Sequence, residues 1–246
     1  MVWTRNRPLG LTHHEPRRAE PGYTLFASVR GAHATLVDME GRIVHRWRHE
    51  EGIQYAHMLP SGNLLVRSMP PADAEGTERI GGSTGSLFEL DWDGNEVWRY
   101  DNPLMHHDCR RLPGGSTLIC LWRQLPEGMT ARVLGGSPHE EDPERMWADV
   151  VQEIAPDGEV LWEWRAWEHM DVEQHVKCPL ENRREWTHLN SIALTPAGDL
   201  LLSFRLTDTI AVVDRKTGAF KWTWGPGVLS NKHHATRLSA DGHDDG

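Results

Sequence analysis

Long apolar runs are missing from this 246-residue chain. No window approaches the roughly 18 apolar residues a membrane-spanning helix requires, and the mean hydropathy is -0.57, so a soluble protein with no membrane partner is expected. Basic charge is scarce too: 26 Lys and Arg face 36 Asp and Glu, the net charge is -10, and no polybasic run occurs. Duplex DNA, tRNA and anionic membrane surfaces need a continuous positive face. Nucleic acid is therefore excluded as a main partner, and an anionic ligand must be held locally. Cysteine is rare. Cys109, Cys120 and Cys178 are odd in number and too widely spaced for paired zinc ligands or an evident disulfide framework, which makes the cytoplasm the expected compartment. Residues 1–22 carry Arg5, Arg7, Arg17 and Arg18 but also Glu15 and Glu20, without an apolar h-region. They read as a flexible arm, not a secretory or transit signal; a periplasmic location would require a leader already removed.

What is abundant is tryptophan, histidine and glycine, with 12, 15 and 23 copies. Helical periodicity is almost absent. An Asp-x-x-Gly type of turn, followed by ring residues, recurs as Asp38–Gly41, Asp91–Gly94, Pro156-Asp-Gly158 and Asp214–Gly218. After each Gly, rings stand at the fourth and sixth positions: His45 and Trp47, Trp98 and Tyr100, Trp162 and Trp164, Trp222 and Trp224. Rings two residues apart share one face of a β-strand. An apolar or alternating run precedes each turn, so each unit is a hairpin, and its Trp residues read as packing residues between layers.

A second turn recurs between the hairpins, at Leu59–Gly62, Leu112–Gly115, Thr195–Gly198 and Ser239–Gly242. One turn of each kind makes a four-stranded unit, and the hairpin glycines return at intervals of about 53 to 64 residues. That pattern predicts an all-β fold: a β-propeller of four-stranded antiparallel blades over residues 23–246, with about four recognisable blades. The Gly/Pro-rich segments Pro70–Gly85 and Gln124–Ala148 read as insertions on one rim.

Aligning the second turns puts polar residues in register. Six positions before Pro60, Pro113, Pro196 and Ala240 stand Gln54, His107, Asn190 and His234. On innermost strands these side chains would converge, with His188 on the same face as Asn190 and Arg205 on the next strand. His106 and His233 then point outward, and His57 is out of register. Three histidines, an asparagine and an arginine suit a small anion. Inward polar groups require a ligand or water to satisfy them. The remaining histidines have no registered partners and read as surface or packing residues.

The strings His106-His107-Asp108, Thr187-His188-Leu-Asn190-Ser-Ile192, Ser203-Phe-Arg205, Thr217–Trp222 and His233-His234-Ala235 resemble the bacterial arylsulfate sulfotransferase family, from about Gly22 to the C-terminus. The resemblance implies a six-bladed propeller that transfers a sulfuryl group from a phenolic sulfate ester to a phenol, through a sulfohistidine and without a nucleotide donor. By position, His234 matches the nucleophile, His107, His188 and Arg205 the sulfuryl-binding residues, and Asn190 a supporting polar residue. It calls for no cofactor, and its partners are a small aryl sulfate and a phenol. The chain ends soon after His234, so the last blade reads as truncated. The exposed edges of an incomplete ring would favour self-association.

The chemistry is coherent in its own right. A sulfate monoester resembles a phosphate ester in its loose transition state, with charge spread over the non-bridging oxygens. Imidazole serves as nucleophile and proton shuttle, and a guanidinium offers a fixed fork to the oxygens. The acid/base role falls to His188 or His107, with no feature choosing between them. Two other classes compete: a non-catalytic binding module on quinoprotein-like repeats, and a metal site of His107, His188 and His234. Three imidazoles suit zinc or copper, but Arg205 beside them would repel a cation.

Overall fold

Turn residues account for much of the local structure. In a computed structural model, which describes residues 11–29, 31–69, 80–137, 145–225 and 236–239, each of the four Gly-containing ring-bearing turns closes an antiparallel hairpin. Asp38 Oδ1 accepts the backbone N–H groups of Glu40 at 3.0 Å and Arg42 at 2.8 Å, while Gly41 takes a φ of 76°. Asp91 Oδ1 accepts the N–H of Asn95 at 2.8 Å, and Asp214 Oδ1 those of Lys216 and Thr217 at 2.8 and 3.0 Å. An Asp that caps its own turn fixes loop length, and loop length fixes strand register.

The described residues divide into two compact units. The first runs to Met69 and adds residues 85–101. Its first sheet has the order β1-β2-β3, from β1 (Thr24–Ala27), β2 (His33–Val37) and β3 (Ile43–Arg48). Its second has the order β4-β5-β6-β7, from β4 (Tyr55–Met58), β5 (Leu64–Ser68), β6 (Ser86–Leu90) and β7 (Glu96–Asp101). Ala34, Trp47, Ile53, Leu64, Val66, Phe88 and Leu90 form the core. Trp47 is buried as its spacing predicts. Its indole N–H donates to the Asp91 carbonyl at 3.0 Å, and its ring meets His45 edge-on at 4.4 Å.

The second unit takes in residues 80–84 and the described chain from Asn102 onward. One sheet joins β8 (Met105–Arg111), β9 (Thr117–Gln124), β11 (Trp147–Ile154) and β12 (Val160–Arg165) in the order β12-β11-β9-β8. A short parallel pair consists of β10 (Gly135–Ser137) and β13 (Lys177–Asn182). The last sheet runs in sequence order through β14 (Leu189–Leu194), β15 (Leu200–Phe204), β16 (Thr209–Val213), β17 (Phe220–Gly225) and β18 (Thr236–Ser239). Leu118, Val151, Trp164, Trp186, Leu202 and Phe204 are among its core residues. Strand β8 is tied to β14 at one point: Asp108 Oδ2 accepts the Ile192 N–H at 2.9 Å, and Arg110 Nε donates to the Ile192 carbonyl at 2.8 Å.

The propeller expected from the repeat is corrected by this arrangement. The described strands form five separate sheets of three, four, four, five and two strands, and none is closed or curled. Only two carry the four strands of the expected blade, and the β10–β13 pair is parallel. The architecture is all-β and multi-sheet. Turn chemistry is local and readable in sequence, whereas closure of sheets into a ring depends on tertiary contacts that a repeat interval does not encode.

Candidate functional site

Two short breaks in strand regularity build the site, both within the second unit. The β8–β9 register shifts between His106 and Cys109, and His107 takes a φ of 45°. The β14–β15 register shifts between Leu189 and Ser191, and His188, one residue before β14, takes a φ of 56°. Positive φ is uncommon for a residue with a side chain and is concentrated at turns and functional sites. Here it turns the two imidazoles toward each other, with ring centroids 4.4 Å apart and planes at 67°.

Glycine makes room for this contact. The His107 N–H donates to the Gly82 carbonyl at 2.9 Å. A Cβ on Gly82 would lie 2.0 Å from the His107 ring, and Gly82 itself sits at a φ of 86°. Gly82 belongs to the first of the two segments expected to be insertions; residues 70–79 of it lie outside the described residues. Side chains behind the pair fix its orientation. His188 Nδ1 lies 2.7 Å from Glu185 Oε2, so the carboxylate accepts the Nδ1 proton. Trp122 tilts against His188 at 5.8 Å.

His106 does not point outward as strand alternation predicts. It is buried, stacks on Trp122 at 3.9 Å and brings its Nδ1 within 3.1 Å of His107 Nδ1. The left-handed residue at 107 breaks the alternation and puts consecutive histidines together. Behind them, Asp149 is fully buried. Its Oδ1 is 3.2 Å from His106 Nε2, while its Oδ2 accepts the Thr187 hydroxyl and, at 2.8 Å, the Leu189 N–H. Neither Asp149 nor Glu185 lies in the repeat register, so the sequence pattern missed both. The adjacent His-His pair in a strand was the one signal available.

The other sequence candidates are more open. Arg205 adjoins His188 through the backbone, its N–H donating to the His188 carbonyl at 3.0 Å. Its guanidinium is half-exposed and pairs with Glu181. Asn190 is exposed while His188 is buried, so the register break separates two residues expected on one face. His234 lies outside the described residues. Lys177 was not foreseen. It is fully buried, its ammonium makes no hydrogen bond, and burial pushes its pKa down to about 8 against the opposing pull of the Glu185 and Glu181 carboxylates. A cavity of about 300 Å³ elsewhere in the unit is lined by Met129, Arg132, Trp167 and His169 among others, and by none of the sequence candidates. Among the described residues, no group of three or more His, Cys, Asp or Glu is disposed to hold a metal ion.

A family model described as Arylsulfotransferase (ASST) matches residues 35–238. No curated protein matches the chain. Among solved structures the chain is similar to BamB from Moraxella catarrhalis, at 11% identity and a TM-score of 0.44 over 89% of this chain and 58% of that one. It is also similar to a structure described as the eukaryotic initiation factor, at 9% identity and a TM-score of 0.34 over 93% and 64%. It spans less than two thirds of the length of either.

Proposed function

The chain belongs to the arylsulfotransferase family, and from that premise we propose that it moves a sulfuryl group from an aryl sulfate ester to a phenolic acceptor through a sulfohistidine on His234. The observation that carries this reading is the close contact of His107 and His188, two imidazoles each held at a positive φ and backed by its own polar partner. Such backbone conformations cost about 1–3 kcal/mol each, a cost more readily explained by site geometry than by packing.

In the first half-reaction a neutral His234 nitrogen attacks sulfur; the N–S bond forms, the S–O bond to the aryl group breaks, and the departing phenolate takes a proton from His107 or His188. In the second, the incoming phenol gives up its proton to an imidazole, its oxygen attacks sulfur, and the N–S bond breaks with the electron pair returning to His234. Charge on the non-bridging oxygens falls to Arg205 and Asn190, both exposed enough to meet a ligand. Binding would exchange the Glu181 carboxylate on Arg205 for sulfuryl oxygens, which the planar fork can hold in pairs. The test is turnover of a chromogenic aryl sulfate with added phenol. Ping-pong initial-rate patterns, lost in His234→Ala, support the reading; a folded protein that turns over no aryl sulfate rejects it.

A further inference from the structure

We propose that His106, oriented by Asp149, is a positioning residue that fixes the tautomer of His107 and leaves His107 Nε2 as the unprotonated nitrogen. This rests on the reading of His107 as part of the sulfuryl-transfer site and adds a role to it: His107 takes the proton of the incoming phenol.

The argument follows the buried polar atoms in order. Asp149 Oδ2 is committed to two donors, Thr187 and Leu189, so Oδ1 is the oxygen that faces His106 Nε2 at 3.2 Å. That contact is a close charge-to-ring approach and not a formed hydrogen bond; neither atom has a hydrogen-bond partner, and both side chains are fully excluded from solvent. A carboxylate only accepts, so a lone pair on Nε2 would be repelled at this distance and the proton stands there. In a neutral imidazole one proton fills one nitrogen, which makes His106 Nδ1 an acceptor. His107 Nδ1, 3.1 Å away, must then donate, and the His107 lone pair is left on Nε2. The stack of His106 on Trp122 holds its ring in the plane this chain of contacts requires.

The consequence for the reaction balances. His107 Nε2 accepts the phenol proton as the phenol oxygen bonds to sulfur. By exchange with solvent, His188, which gave its Nε2 proton to the departing phenolate, is reprotonated and His107 gives up the proton it gained, so both return to their starting states.

Asp149→Asn makes the sharpest variant because the surroundings dictate how the amide sits. Its carbonyl oxygen must stay with the Thr187 and Leu189 donors, which places the NH₂ group against His106 Nε2. Nε2 becomes an acceptor, His106 Nδ1 carries the proton, and His107 is forced to the Nε2–H tautomer. An analogous Asp-to-Asn exchange behind a catalytic histidine costs about 10⁴-fold in kcat by the same inversion.

The experiment is ¹⁵N-histidine NMR of the whole chain, reading which ring nitrogen of each histidine carries the proton. The expected result is an Nδ1–H tautomer at His107 in the wild type, inverted in Asp149→Asn, with kcat reduced about 10²-fold or more while the aryl sulfate KM holds. An Nε2–H tautomer at His107, or a doubly protonated His106, in the wild type overturns the inference even if every variant fails to fold. The expected tautomers in a protein that turns over no aryl sulfate would instead reject the sulfotransferase reading and leave the tautomer assignment standing.

Discussion

Removing the charge of Lys177 should stabilise the protein at neutral pH, against the usual outcome of changing a buried residue. Lys177 is fully buried without a hydrogen-bond partner for its ammonium, and burial lowers its pKa from 10.5 to about 8. Below pH 8 both folded and unfolded chains carry the proton, and the folded state bears the whole cost of the buried charge. Between 8 and 10.5 the unfolded chain holds more protons than the folded one, so stability rises with pH across that window and levels off above it. At 1.36 kcal/mol per pH unit the cost present at pH 7 is about 3 kcal/mol. Lys177→Met keeps the apolar stem and removes the charge. Its gain at pH 7 should be about 1–3 kcal/mol, the cost of the buried charge less what imperfect repacking of the apolar stem takes back. The assay is urea denaturation followed by tryptophan fluorescence from pH 7 to pH 10.5, taken as the variant minus the wild type so that other titrating groups cancel. The difference should shrink steadily above pH 8. A variant less stable than the wild type at pH 7, or a difference independent of pH, would refute the reasoning.

Three more outcomes follow from the same contacts. Gly82→Ala puts a Cβ 2.0 Å from the His107 ring and forces a side chain onto a φ of 86°, so turnover should fall at least about tenfold with an unchanged circular dichroism spectrum; full activity would mean that His107 need not sit where it does. Arg205→Lys should change stability by less than about 1 kcal/mol, because its partner Glu181 is itself part-exposed, yet weaken sulfate binding measured by calorimetry, and an equal affinity would remove Arg205 from the site. Asp108→Ala strands the Ile192 N–H that its Oδ2 accepts at 2.9 Å, and should lower unfolding stability by about 1–3 kcal/mol in a chemical melt.

Much of the local fold was legible because it is written in short-range chemistry. Asp38, Asp91 and Asp214 cap their own turns, and Trp47 and Trp164 are buried at the sixth position after their turn glycines, whereas Trp224 at the same spacing is 44% exposed and does not pack as expected. The ring of blades was not legible, since five open sheets and a closed ring can share the same turns. In the site, His107 and His188, both of which the sequence marks as polar residues in the second-turn register or on its face, lie in ring contact. The partners of that contact do not follow from the register. Strand alternation points His106 outward, but the left-handed backbone at His107 cancels it, and the same alternation puts Asn190 beside His188 across a register break that separates them. Asp149, Glu185 and Lys177 come from positions outside the repeat, so only three-dimensional proximity could reveal them.

The most direct test of the account is intact mass after exposure to an aryl sulfate alone, followed by peptide mapping. The account predicts a gain of one sulfuryl group, located on His234, discharged by added phenol and absent in His234→Ala. A label that persists in His234→Ala, or a folded wild-type protein that turns over donor and acceptor without ever gaining mass, would contradict the covalent mechanism at its centre.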